Sequence, residues 1–110
     1  MVPQRSSQSQ QALNKALSLF RSGRPDKAEK LARGVLSAEP RNAQLLQFVA
    51  MLCQIQHKFA DAAVLCEKAV AIAPNSADAH YNLGTALMKQ GRSEQAVASF
   101  EKSLALAPGN

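Results

Sequence analysis

The side chains best suited to chemistry in this sequence are two cysteines and two histidines, and their spacing assembles no reactive site. Cys53 and Cys66 are too few and too far apart for a zinc motif. Both lie in apolar runs, AMLCQI and AVLCEK, which favours buried, reduced thiols over a disulfide. His57 and His80 lack the i, i+4 spacing of two metal ligands on one helix. We therefore expect no metal centre and no thiol chemistry.

The carboxylates and the glycines are equally dispersed. Most of the eight Asp and Glu residues stand beside Lys or Arg, as they do on the solvated outer faces of helices. The five glycines are too scattered to form a phosphate-binding loop. Function has to be argued from sites, and no catalytic arrangement is visible. We expect a protein that is not an enzyme and that binds no cofactor.

Charge and composition narrow the class of protein. The chain has 110 residues, enough for one domain, and 46% of them are hydrophobic. No apolar run approaches the roughly 18 residues of a membrane span, and the first ten residues carry no secretory signal, so a cytoplasmic location is expected. The net charge is +5, and all of the excess lies in residues 1–42. No aromatic residues alternate with these charges, which disfavours nucleic-acid binding against a solvated basic face.

A period of 34 residues organises the chain. Two series of residues mark this spacing: Pro40, Pro74 and Pro108, and Ala28, Ala62 and Ala96. The period divides the chain into three units, 9–42, 43–76 and 77–110, after a polar tail or helix extension at 1–8. Because Ala and Leu dominate and β-branched residues are sparse, each unit is expected to be helical.

Each unit is predicted to contain two helices. In the third unit, His80, Leu83 and Leu87 follow the spacing of one helical face. Gly91 is expected to end that helix, and Ser93 to cap the next one. The six predicted helices span residues 8–22, 26–38, 43–56, 60–73, 77–90 and 94–107.

His57 stands at the position that Gly23 and Gly91 hold in the other two units. A residue that ends a helix in this way commonly takes the left-handed conformation. Among residues other than glycine, histidine is enriched at positive φ. We therefore predict a positive φ angle at His57.

The third unit carries a recognisable set of apolar, small and turn residues: His80, Leu83, Gly84, Leu87, Ala96, Phe100 and Pro108. This pattern resembles the tetratricopeptide repeat, and the resemblance covers residues 9–110. His80 replaces the family's usual Trp and Leu87 its usual Tyr, both of which are packing positions. The resemblance implies an all-α fold, a right-handed α-α superhelix (solenoid) of three helix-turn-helix repeats, in which the first helices line a concave groove.

Helical geometry separates two stripes on each first helix. One stripe is mostly apolar or small, as in Leu46, Val49 and Ala50, and suits packing between helices. By resemblance, the other stripe faces the groove, where apolar residues mark a partner site and glutamines offer both a donor and an acceptor. The candidate partner-binding residues are Leu13, Leu17, Phe20, Gln47, Met51, Gln54, Tyr81, Thr85 and Met88.

One known variant of the family does not fit this chain. Some tetratricopeptide domains clamp the C-terminal carboxylate of a chaperone with Lys, Asn and Arg side chains at set positions. The corresponding positions here hold Leu13, Leu17, Phe48, Asp78 and Asn82. The cations are missing and one position is acidic, so carboxylate clamping is not expected.

The leading functional hypothesis is a scaffold that binds a peptide or helix of a partner protein in the groove. The alternative is the N-terminal recruiting region of a larger enzyme. The segment AHYNLGTALMKQGRSEQAVASFEKSLALAPGN is similar to repeat arrays that precede bacterial glycosyltransferase and sulfotransferase domains.

The last predicted helix presents a stripe that contains Val97 and Leu104 and that a following helix would cover. The sequence therefore favours a fragment of a longer array, or burial of this face by another copy. In either case the 110 residues are expected to self-associate through the C-terminal repeat.

Overall fold

The computed structural model describes residues 7–107, and this part of the chain is helical, with no β-strand. Its helices are α1 (Ser7–Arg21), α2 (Pro25–Ala38), α3 (Ala43–Ile55), α4 (Phe59–Ile72), α5 (Ala77–Lys89) and α6 (Ser93–Leu106). Every helix end lies within one residue of its predicted position. Most of the predicted tail at 1–8, and the turn predicted at Pro108, lie outside the described residues.

Each helix packs mainly against the helices before and after it in sequence. The units therefore stack in a row, as in a solenoid, where each repeat contacts only its neighbours. The core is built from small and medium apolar side chains, and the largest fully buried ones are Leu46, Leu52, Val49, Cys53 and Cys66. Ala28, Ala62 and Ala96, the residues of the 34-residue alanine series, are all fully buried. No described helix combines the length and apolarity needed to cross a bilayer.

The turns within the units share one geometry. Gly23, His57 and Gly91 have φ angles of 79°, 63° and 78°. At His57, the N–H of Lys58 donates to Cys53 O at 2.8 Å and the N–H of His57 donates to Gln54 O at 2.9 Å. This pair of hydrogen bonds ends a helix through one left-handed residue. The positive φ predicted at His57 is confirmed.

Two substitutions at His57 separate the free-energy cost of its positive φ angle from the contribution of its side-chain contact. The imidazole stacks on Phe59, with ring centroids 5.5 Å apart. Both His57→Gly and His57→Ala remove the ring, but only glycine takes a positive φ without a steric penalty. His57→Gly is expected to be more stable than His57→Ala by about 1 kcal/mol in urea denaturation, and neutral or stabilising relative to the parent chain. A loss of about 1 kcal/mol for His57→Gly would show that the stacking on Phe59 outweighs the backbone strain.

The helix N-termini differ between the two helices of a unit. The side chains of Asn42 and Ser76 cap α3 and α5 by accepting from the N–H groups of Leu45 and Ala79, at 3.0 and 3.1 Å. The second helices start without a side-chain cap. The cap predicted at Ser93 is therefore wrong. The turn is tight enough that Arg92 O already accepts from Ala96 N–H, so Arg92 is the N-cap and Ser93 lies inside α6.

The packing stripe predicted on the first helices is buried in α3 and, apart from the half-buried Leu83, in α5. His80, at the family's usual Trp position, is buried, with its Nε2 2.9 Å from Pro74 O. A Cβ added at Gly84 would lie 2.7 Å from Cε1 of Phe100, so glycine permits the close approach of α5 and α6. Both cysteines are free and buried, and burial raises the pKa of the Cys66 thiol to about 12. Such thiols are inert at neutral pH.

Candidate functional site

The first helices of the units share one face, and two hollows lie along it. The larger hollow, between α3 and α5, has a volume of about 430 Å³. Its lining residues come from both helices: Gln44, Gln47, Phe48, Ala50, Met51, Gln54, Tyr81, Asn82 and Thr85. Five of the nine candidate residues, Gln47, Met51, Gln54, Tyr81 and Thr85, are therefore brought together here. Below, this is called the α3–α5 hollow.

The smaller hollow, between α1 and α3, has a volume of about 180 Å³ and is called the α1–α3 hollow. It is lined by Leu13, Leu17, Asn42, Gln44, Leu45 and Phe48. Leu13 and Leu17 are two further candidate residues. Gln44 and Phe48 line both hollows, so the two form one continuous surface across the first helices.

Two candidate residues lie outside both hollows. Phe20 is half-buried and packs against the hydrophobic core. Met88 is exposed near the end of α5 but lines neither hollow. Neither side chain is positioned with the other seven.

Sequence reasoning did not select Phe48 and Asn82 for partner binding, although both line the α3–α5 hollow. Asn82 Nδ2 donates to Gln47 Oε1 at 2.8 Å, joining α5 to α3 across the hollow. Phe48 and Asn82 are exactly one period apart and lie beside the groove-facing stripe. Both also correspond to positions of the carboxylate clamp that the resemblance implies, and this correspondence is the signal that could have selected them.

The side chains that line the two hollows are electrically neutral. None of the residues that line the two hollows carries a charged side chain. Asp78, one helical turn before Asn82, is exposed in the first turn of α5. Among residues 7–107, no group of His, Cys, Asp and Glu side chains could hold a metal ion. The arrangement suits apolar contact and amide hydrogen bonding.

Stacked helix pairs with a shared face along their first helices define an α-helical repeat scaffold. Models of the tetratricopeptide repeat match residues 13–77 and 55–110 of this chain. The chain belongs to the tetratricopeptide repeat family.

Comparison with known proteins gives relatives of different kinds. The Hsp70-Hsp90 organizing protein of Triticum aestivum is 30% identical over 100 residues, covering 91% of this chain but only 17% of the wheat protein. The first repeat domain of Spaghetti (RPAP3), solved bound to the HSP90 peptide SRMEEVD, superposes with a TM-score of 0.88 at 27% identity, covering 96% of this chain and 84% of that domain. A mutant O-GlcNAc transferase from Thermobaculum terrenum matches with a TM-score of 0.84 at 30% identity, covering 99% of this chain and 21% of the enzyme.

Proposed function

We propose that this chain is a non-catalytic scaffold that holds a peptide or helix of a partner protein across the two hollows. The observation that carries the proposal is the continuous neutral face on α1, α3 and α5. Leu17, Met51 and Tyr81 on this face are 38%, 37% and 56% exposed. Clustered apolar side chains of this size at a surface commonly mark an interaction site.

The relatives support a peptide ligand. The similar domain of Spaghetti holds a seven-residue peptide, SRMEEVD. The wheat relative is named as an organizing protein of Hsp70 and Hsp90, a role that requires binding to other proteins. A cytoplasmic location forms part of the proposal.

The alternative, a recruiting region of a larger glycosyltransferase- or sulfotransferase-like enzyme, is not favoured. The match to the Thermobaculum terrenum enzyme covers 21% of that protein. A match of this extent is equally consistent with a scaffold.

The role of the face is tested by alanine substitution at its exposed apolar residues. Leu17→Ala, Met51→Ala and Tyr81→Ala are each expected to weaken binding of a captured partner by roughly 1–2 kcal/mol, as at interface hot spots. Partners are identified by cross-linking and mass spectrometry, and affinities are measured by calorimetry. Circular dichroism should show unchanged helicity, because all three side chains are exposed.

Val64→Ala is the matched control, because Val64 is similarly exposed on α4 and lines neither hollow. It should leave affinity unchanged. Binding that survives all three groove substitutions, or that Val64→Ala weakens equally, would place the partner on the convex face.

A further inference from the structure

The α1–α3 hollow is lined mainly by apolar side chains. Three of the five positions that correspond to the family's carboxylate clamp are Leu13, Leu17 and Phe48. These three side chains line one hollow together with Leu45. Four apolar side chains therefore form most of the lining, beside the polar side chains of Asn42 and Gln44.

The dimensions of this pocket fit one apolar side chain. Its volume is about 180 Å³. An apolar cavity of roughly 150 Å³ accepts a benzene-sized group. A leucine, methionine or phenylalanine side chain is of that size, and its burial against three leucines and a phenylalanine removes apolar surface from water.

The neighbouring α3–α5 hollow offers hydrogen bonds without charge. Gln44, Gln47, Gln54 and Asn82 place four carboxamides along it. The bond from Asn82 Nδ2 to Gln47 Oε1 uses one donor and one acceptor of that pair. It leaves the Gln47 Nε2 group as a donor and Asn82 Oδ1 as an acceptor, which together match one peptide unit of a bound chain.

The lining of the two hollows offers no counter-ion to an acidic ligand. No lining residue of either hollow is a cation. Asp78 lies four residues before Asn82, so the two share a helical face and the carboxylate stands beside the amide pair. A peptide rich in Asp and Glu would meet a like charge there and find no counter-ion among the lining residues.

We infer that this face, if the proposed function holds, selects an uncharged peptide segment through one apolar anchor side chain in the α1–α3 hollow and backbone hydrogen bonds to the Gln47–Asn82 pair. The acidic peptide SRMEEVD, which the Spaghetti domain holds, is not its ligand. An acidic ligand is disfavoured because neither hollow has a cation in its lining.

The test uses the full 110-residue chain and two probes. The first is a phage-displayed library of random 12-residue peptides, from which binders are selected and synthesised with capped ends. The second is fluorescein-labelled SRMEEVD with a free carboxylate, measured by fluorescence anisotropy. The protein variants are Leu17→Asp, with Val64→Asp as the matched exposed control, and both are checked for folding by thermal denaturation.

The selected peptides are expected to share one Leu, Met or Phe position and to be depleted in Asp and Glu. Replacing that position by Ala should weaken binding roughly tenfold, and Leu17→Asp should weaken it at least as much while Val64→Asp does not. Binding should persist at high salt, because apolar contacts and neutral hydrogen bonds are not screened. SRMEEVD should give no saturable signal.

Saturable binding of SRMEEVD, or selection of acidic peptides that Leu17→Asp releases, would overturn this inference and leave the proposed function standing. Binders of any composition that tolerate Leu17→Asp would overturn the inference, because the anchor side chain would not lie in the α1–α3 hollow. A selection that yields no peptide dependent on Leu17 also overturns the inference, while the proposed function is then judged by the alanine substitutions with a captured partner.

Discussion

Replacing Glu29 by glutamine is expected to lower the free energy of unfolding by about 2 kcal/mol at neutral pH. Glu29 is a buried carboxylate in α2, and its oxygens accept from three side chains. Arg33 Nε donates at 2.6 Å, Lys58 Nζ at 2.8 Å and Gln56 Nε2 at 2.9 Å. Because Gln56 and Lys58 lie in the turn between α3 and α4, Glu29 ties the first unit to the second.

The same contacts make this stabilisation depend on pH. Burial raises the pKa of Glu29, but hydrogen bonds from Lys58, Arg33 and Gln56 lower the pKa by more, to about 2 from an ordinary value of 4.5. The folded protein therefore binds this proton more weakly than the unfolded chain does. The stabilisation is fully present above about pH 4.5 and is lost as the pH falls towards about 2, to a maximum of about 3 kcal/mol.

Urea denaturation at about pH 7 and about pH 3 measures this effect. The parent chain should lose stability between the two conditions, and Glu29→Gln should lose less, because it lacks the titrating group. Glu67→Gln, at an exposed carboxylate on α4, is the control and should change stability by less than about 0.5 kcal/mol at neutral pH. Equal losses for the parent chain and Glu29→Gln would contradict the assignment of this acid sensitivity to Glu29.

Much of the fold was predictable because the turns carry strong local signals. Proline and glycine end helices for steric reasons that act within a few residues, so the helix ends follow from them to within one residue. His57 shows the value of the period, since its positive φ followed from its register with two glycines. Ser93 shows the limit, because a residue suited to capping sits inside the helix when the turn before it is tight.

The candidate site was predictable only in part, because hollows form between helices. The stripe pattern, which is read from each first helix separately, identified Leu17, Met51 and Tyr81. All three are exposed on the shared face. Phe20 packs against the core instead. Its position depends on how neighbouring helices pack, and the sequence pattern of a single helix does not predict that packing. The burial of Glu29 also depends on packing between helices. Its position beside Lys and Arg residues in the sequence suggested a solvated face, whereas the second unit covers it.

The outer face of α6 is expected to drive self-association of the 110-residue chain. Residues at the same position in the three units show how far the next unit buries each second helix. Two such sets are Glu29, Ala63 and Val97, and Leu36, Val70 and Leu104. Ala63 is 2% exposed under the third unit, whereas Val97 is 54% exposed and Leu104 is 62% exposed. In the first and second units, the equivalent residues are covered by the unit that follows. Within residues 7–107, no helix covers Val97 and Leu104 in this way.

The pairing is expected to join two α6 faces rather than α6 of one copy to α1 of another. On α1, the residues equivalent to the buried Leu45, Val49 and Leu52 of α3 are Gln11, Lys15 and Ser18. All three are exposed and polar, so α1 lacks the apolar surface that α6 would need. Two α6 faces are therefore expected to form a closed, two-fold dimer.

Sedimentation velocity and equilibrium from micromolar to millimolar protein measure this association. Leu104→Lys should raise the dissociation constant roughly tenfold or more, because it places a charge in an apolar contact. Val64→Lys, which changes a similarly exposed residue on α4, should leave the dissociation constant unchanged. Added salt should strengthen the dimer, because Glu101 lies between Val97 and Leu104 on the same face and would approach its own copy across the two-fold axis. A strict monomer at every concentration, with Leu104→Lys leaving solubility unchanged, would show that this face is stable in water and that nothing need cover it.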